Sequence, residues 1–198
     1  MFMRDTALRA PLIDVLWPAK SLVRDVLLVM ATSFVLALSA QIVFPLPFSP
    51  VPVTCQTLVV LAAGALLGSR LGALTVLVYL TEGMIGLPFF AKGAAGVAYL
   101  RGVTGGYLLG FVAAAFVVGL LVEKGWGRKV STAIVAMGIG NVLLYVFGIA
   151  WLQLVLQITT TKALFLGFYP FIPGDVYKIG IGAILLPILS NFLKNPKN

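Results

Sequence analysis

The sequence predicts an all-α, polytopic membrane protein, a bundle of six transmembrane helices with its working surface at the outer end. Three observations predict it. Hydrophobic residues make up 61% of the 198 and charged residues only 10%, where a soluble domain carries about 25% charged residues. The apolar residues fall in runs long enough to cross a bilayer, separated by short polar segments. The Lys and Arg residues are divided unequally between the two sides of those runs. No stretch is polar enough to form a second domain, so residues 1–198 read as one membrane domain.

Residues 1–25 set Arg4, Arg9, Lys20 and Arg24 with Asp5, Asp14 and Asp25 among Leu12, Ile13, Leu16 and Trp17. This reads as a cytoplasmic, interfacial segment. It contains too many acids for a signal peptide, so an uncleaved first span is expected over about 26–44. Pro45, Pro47, Pro50 and Pro52 follow, and so many prolines require an extended connector. The second span begins near Thr54 and ends at Gly68-Ser69-Arg70. It is short for a full crossing, which places Val51 to Thr54 at membrane depth against protein. The third span covers about 71–86, and a long irregular, glycine-rich stretch runs from Gly86 to Gly105. The fourth span covers about 106–122, a basic loop runs from Glu123 to Lys129, and the fifth span covers about 130–156. Residues 157–171 are polar and aromatic, and Pro173 opens the sixth span, about 173–193, as a first-turn proline does. The six spans together occupy about 26–193.

Six spans put both termini and the second-to-third and fourth-to-fifth loops on one side. That side holds Arg4, Arg9, Lys20, Arg24, Arg70, Lys124, Arg128, Lys129, Lys194 and Lys197, ten of the 14 positive charges. The other side holds Lys92, Arg101, Lys162 and Lys178. The richer side is expected to be cytoplasmic. The proline connector, the glycine-rich loop and the 157–175 segment then all face outward. Long, irregular loops of biased composition are where function concentrates.

The net charge of +8 is accounted for by this orienting bias, and nucleic acid is not expected as a partner. With one cysteine, Cys55, and no histidine, the chain has no internal disulfide, no zinc-type ligand set and no Ser-His-Asp or Cys-His nucleophile. It lacks a GxxxxGK[ST] phosphate loop. No catalytic residue, cofactor or metal is expected.

Few ionisable residues lie in or beside the apolar runs: Glu82, Asp175 and Lys178, with Lys92 and Arg101 in the glycine-rich loop. Charge at membrane depth is costly and usually has a role. Asp175 and Lys178 are three residues apart and share a helix face. They form either a local ion pair or an acceptor and a cation offered to a small polar solute. Glu82 reaches the outer interface or pairs with Lys92. Gln56 presents an amide to a pocket or ties down the second span. Tyr99 and Tyr107 flank the glycine-rich loop, as belt residues or as a pocket wall. Gly64, Gly68 and Gly72, and Gly106, Gly110 and Ala114, recur every four residues and let helices approach closely. Ser33 and Ala37 repeat that pattern weakly in the first span, and such a pair can also meet a partner protein.

Four blocks occur in order between about residues 45 and 180: PVPVTCQT at 50–57, GLPFF at 86–90 with Gly93 and Gly96, TGGYLLGF at 104–111, and PFIPGDVYK at 170–178. Together they resemble the BioY family, the biotin-binding S components of energy-coupling-factor transporters. The resemblance implies a six-helix bundle with its site near the outer end, in the cytoplasmic membrane, with both termini cytoplasmic. It implies that Asp175, Lys178, Tyr107 and Gln56 occupy the family's aspartate, lysine, tyrosine and glutamine positions. The implied partners are biotin, the lipid bilayer, a transmembrane T component and two ATPase subunits. The chain departs from the family pattern at Val103, where proline is usual, and in the charges of Lys92 and Arg101. The small-residue pattern implied for T-component docking is reduced to Ser33 and Ala37.

Biotin offers two ureido N–H donors, a ureido oxygen, an apolar thioether ring and a carboxylate. Asp175 can accept from a ureido N–H, and Lys178, Arg101 or Lys92 can meet the carboxylate or the ureido oxygen. Tyr107, Tyr99 and Phe90 can wall the ring and chain, with the glycine-rich loop and proline connector as a lid. Two other classes stay open: an S component or carrier for another vitamin, such as riboflavin or thiamine, and a membrane-embedded enzyme using an Asp–Lys or Ser–Lys arrangement.

Overall fold

The computed structural model describes residues 11–194. Arg4, Asp5, Arg9 and Lys197, which enter the charge pattern above, lie outside the described residues. The chain order is α1 (Leu12–Leu16), α2 (Leu22–Gln41), β1 (Val43–Phe44), β2 (Val53–Thr54), α3 (Gln56–Met84), α4 (Val97–Arg101), α5 (Gly105–Glu123), α6 (Val130–Leu156), α7 (Thr160–Gly167) and α8 (Ile172–Lys194). Short 3-10 turns sit at Ala91–Gly93 and Tyr169–Phe171. Among the described residues, five stretches are long and apolar enough to cross a membrane: Leu22–Gln41, Gln56–Met84, Gly105–Glu123, Val130–Leu156 and Thr160–Leu189.

The second of these stretches folds back on itself. Gly68 has φ 85° and ψ 177°, a conformation essentially reserved for glycine. A Cβ on Gly72 would lie 2.7 Å from the Cα of Gly64. Gln56 Nε2 donates to Tyr79 Oη at 2.7 Å, across 23 residues. A continuous helix would separate those two residues by about 35 Å. Glu123 closes the turn, accepting from Ser69 N at 2.7 Å and from Ser69 Oγ at 3.0 Å. A carboxylate is well placed there, beside the free N–H groups that open the second leg. Of the glycine stripe read in the sequence, Gly64 and Gly72 do pack closely, whereas Gly68 supplies the reversal.

The core lies where the two legs of α3 meet α5, and α5 in turn meets α6. Close approach comes from small residues. A Cβ on Gly64 would stand 2.2 Å from the Ala115 carbonyl oxygen, and one on Gly106 2.1 Å from Trp151 Cβ. Val60, Val76, Val118, Leu144 and Leu152 fill the layers between. Helix α8 packs on α6 and α3, and carries Pro173 in its first turn, as the sequence suggests.

Helix α2 starts four residues earlier than expected, because Ser21 caps it by accepting from Arg24 N at 3.1 Å. It packs chiefly on α3. Ser33 and Ala37 lie on the packed side and are buried, so they are not available to a partner protein. That corrects the expectation of a docking pair there. The physical reason is that small residues here serve the α2–α3 approach, while Met30, Phe34 and Leu38 face outward. Likewise, α1 does more than lie at an interface. It packs on α3 and α8 with Leu12 buried, and Asp14 bonds Arg24 at 2.7 Å and Lys20 at 2.9 Å. Burial alone would raise the Asp14 pKa, but hydrogen bonds and charge from Lys20 and Arg24 outweigh it and hold the carboxyl below its ordinary value.

At the opposite end from Gly68, the irregular segments converge. Strands β1 and β2 pair antiparallel, Val43 with Thr54 and Phe44 with Val53, so the proline connector becomes a small ribbon. Ser49 Oγ donates to the Leu166 carbonyl at 2.6 Å and ties that ribbon to α7. Residues 160–167, expected to be irregular, form helix α7 because Thr159 caps them by accepting from Lys162 N.

Candidate binding cleft

The convergent end encloses a cleft of ≈ 520 Å³, counting the open space at its mouth. Its polar groups include Thr54, Gln56, Thr57, Thr104, Asp175 and Lys178; Leu108, Phe111, Leu144 and Phe171 supply apolar wall, and Tyr99, Tyr107 and Tyr145 line it as well. A few convergent polar groups in an apolar wall are the ordinary anatomy of a small-molecule site.

Asp175 stands at the start of α8 and is 4% exposed. Its Oδ2 accepts from Asn141 Nδ2 at 3.0 Å and from the Tyr145 hydroxyl. Its Oδ1 faces Lys178 Nζ at 3.4 Å. Lys178 Nζ also donates to Thr57 Oγ1 at 3.0 Å. An ammonium carries three donors, so one remains after these two contacts. The floor of the cleft thus offers one carboxylate oxygen as acceptor and one ammonium as donor, held side by side.

Gln56 lines the cleft, but its amide is engaged on both sides: Nε2 on Tyr79 Oη and Oε1 as acceptor from Thr54 Oγ1 at 3.1 Å. It ties down the head of α3 and shapes the wall. Tyr107 presents its ring to the cleft and donates its hydroxyl to the Gly167 carbonyl at 2.8 Å. Tyr99 is half-buried and stacks on Phe90 with ring centroids 4.9 Å apart.

Phe90 does not line the cleft. It is fully buried behind Tyr99, in the space left by Gly83, where a Cβ would sit 2.3 Å from its ring. It supports the wall and does not form it. Arg101 ends α4, is exposed, and lines neither this cleft nor its mouth; a cation is favoured at a helix C-terminus without any ligand. Lys92 is exposed and lines an adjoining vestibule with Pro50, Pro52, Ala98 and Thr104. Four residues, Pro52, Ala91, Tyr99 and Thr104, are common to cleft and vestibule. Glu82 makes no ion pair with Lys92 among the described residues, and its Oε2 is buried without a hydrogen-bond partner.

The loop over the cleft is held by Gln41, the last residue of α2. Its Nε2 donates to the Phe90 carbonyl at 3.1 Å, and its Oε1 accepts from Gly93 N at 2.9 Å. Between these contacts Lys92 adopts φ 61° and ψ 30°, a left-handed conformation unusual for a lysine. Trp151 Nε1 pins the other end of the loop at the Gly102 carbonyl, 2.9 Å away. The Gly105-Gly106 pair of the TGGY block is what permits this. A Cβ on Gly105 would fall 1.7 Å from the Leu100 carbonyl oxygen.

Tyr145 and Thr57 complete the floor, Asn141 stands behind it on Asp175, and none of the three is singled out by the sequence. The available signal was an asparagine and a tyrosine one helical turn apart in an otherwise apolar span, since polar groups there need partners. No cluster of metal-ligating side chains occurs among the described residues.

The BioY family model matches residues 9–195. The biotin transporter BioY of Rhizobium etli is 41% identical over 81% of this chain and 89% of its own length. That of Thermotoga maritima is 36% identical over 71% of this chain and 81% of its own. A solved crystal structure of the S-component for biotin from an ECF-type ABC transporter superposes with a TM-score of 0.75 at 25% identity, covering 87% of this chain and 95% of that one.

Proposed function

The chain belongs to the BioY family, and on that footing we propose that it binds biotin in the cleft above Asp175 and acts as the substrate-binding component of an energy-coupling-factor transporter. The observation that carries this reading is the Asp175–Lys178 pair, an acceptor and a cation 3.4 Å apart at the floor of a largely apolar cleft. A ureido N–H donates to Asp175 Oδ1, the oxygen not already taken by Tyr145 and Asn141. The ureido oxygen accepts from the remaining Lys178 N–H. Leu108, Phe111, Leu144 and Phe171 enclose the thioether ring, with Tyr107 alongside. The valerate chain runs past Tyr99 toward Lys92, whose ammonium meets the carboxylate at the mouth. Buried hydrogen bonds of this kind reject analogues that lack one partner.

Residues 1–198 form one membrane domain in this reading, with six spans. The reversal at Gly68 supports that number, because each leg of Gln56–Met84 then crosses separately. The excess of Lys and Arg beside the Gly68 end supports cytoplasmic termini and a cleft open to the outside of the cytoplasmic membrane. The chain lacks a phosphate loop of its own, so nucleotide-driven uptake requires a T component and ATPase subunits.

Uptake tests the function. Cells expressing the chain together with T and ATPase subunits are expected to accumulate tritiated biotin above cells lacking it. Equal accumulation in both would contradict the assignment. Orientation has its own test in Cys55, the single cysteine, which is partly exposed beside Thr54 and Gln56 of the cleft wall. A membrane-impermeant maleimide is expected to label it in intact cells, more slowly when biotin is present. Labelling only after permeabilisation would reverse the assigned orientation.

A further inference from the structure

Asn141 lies in α6, a helix of high hydropathy, and is 9% exposed. Its Nδ2 donates to Asp175 Oδ2 at 3.0 Å, while its Oδ1 is buried with no hydrogen-bond partner. An amide left half satisfied in an apolar helix is destabilising. A residue present only to pack would be apolar at this position. The amide is therefore spent on one contact, and that contact is the carboxylate at the floor of the cleft. Asn141 itself does not line the cleft.

Tyr145, one helical turn on, donates to the same Oδ2. Its ring is fixed by edge-on contacts with Tyr107 and Phe168, at centroid distances of 6.2 and 4.8 Å. Two donors from one rigid helix face therefore converge on one oxygen. A carboxylate has two acceptor oxygens, each with two lone pairs. With Oδ2 occupied, the carboxylate plane is set and Oδ1 is turned toward Lys178 and the ligand. Among the described residues, Lys178 is the charged group that pairs with Asp175.

We propose that Asn141 is a positioning residue: with Tyr145 it fixes the Asp175 carboxylate so that its other oxygen, beside Lys178, can only accept, and so sets the site's demand for a ligand that presents an N–H there. This rests on the reading of the cleft as a biotin site. Asn141 acts through Asp175 and does not touch the ligand, so its effect exists only where the carboxylate exists.

A double-mutant cycle isolates that dependence. Biotin affinity is measured by competition for wild type, Asn141→Leu, Asp175→Ala and the double variant, each checked for monodispersity and thermal unfolding. Asn141→Leu is expected to weaken binding about tenfold in the wild-type background and less than about twofold where Asp175 is already alanine. Unchanged affinity in the wild-type background, or the same loss in both backgrounds, would overturn the inference while leaving the biotin reading intact. If Asn141→Leu does not yield folded protein, Asn141→Ala carries the same cycle. A folded wild type that binds no biotin would remove the biotin reading and this inference with it.

Discussion

Asp175→Asn is expected to weaken biotin binding by about 2 kcal/mol, roughly thirtyfold. The substitution keeps size and shape but removes the charge, and it places an N–H where the ligand needs an acceptor. Asp175 is 4% exposed, so water cannot make good the lost hydrogen bond. Lys178→Ala is expected to lose at least as much, for a second reason. It leaves the Asp175 carboxylate buried beside Tyr145 and Asn141 with no cation in contact, and an uncompensated buried charge is strongly unfavourable. Because the two side chains act as a pair, the double variant should lose less than the sum of the single losses. Calorimetry on the three variants checks this. Wild-type affinity in Asp175→Asn would show that the pair holds the bundle together and does not hold the ligand.

The second large effect falls on the fold. Gly64→Val is expected to cost about 3 kcal/mol or more and to abolish recovery of monodisperse protein. The added Cβ would stand 2.2 Å from the Ala115 carbonyl oxygen, and Gly72 closes the site from the other leg of α3. Backbone on both sides leaves nothing flexible to move aside. Gly138→Ala is the matched control. It lies inside α6 with nothing within 4 Å of an added Cβ, so it should be neutral or slightly stabilising, since alanine is the better helix former. Thermal unfolding in detergent compares the two. A well-behaved Gly64→Val protein would mean that the α3–α5 approach is looser than described.

These two sites also show what a single sequence discloses. The glycine stripe at 64 and 72 was readable as close packing, because small residues at helical spacing have few other uses in a membrane. The polar Ser69-Arg70 pair marks a loop between two spans, but that Gly68 itself makes the turn, and how tight it is, cannot be read from periodicity. Asp175 and Lys178 stood out because charge is rare in an apolar run. Asn141 and Tyr145 did not, because an uncharged polar residue in a span gives no sign of which neighbour it faces, and their partner lies 30 or more positions away. Gln56 was placed at the cleft, but only tertiary contact reveals that Thr54 and Tyr79 occupy its amide. Phe90 sits in the right segment but packs behind Tyr99, and Arg101 is exposed outside the cleft lining, since an irregular segment carries no periodicity from which direction can be inferred. Helix α7 is not legible in the sequence, because the apolar stretch after Lys162 is too short to show a helical period.

The central claim is that this cleft recognises biotin, and one measurement meets it most directly. Purified wild-type protein in detergent is titrated with biotin by calorimetry, with riboflavin and thiamine as parallel ligands. The account predicts one site per chain, micromolar or tighter in the sense of about −8 kcal/mol or better, with biotin preferred over both other vitamins. A folded protein that gives no heat with biotin, or that binds riboflavin or thiamine more tightly, would contradict it.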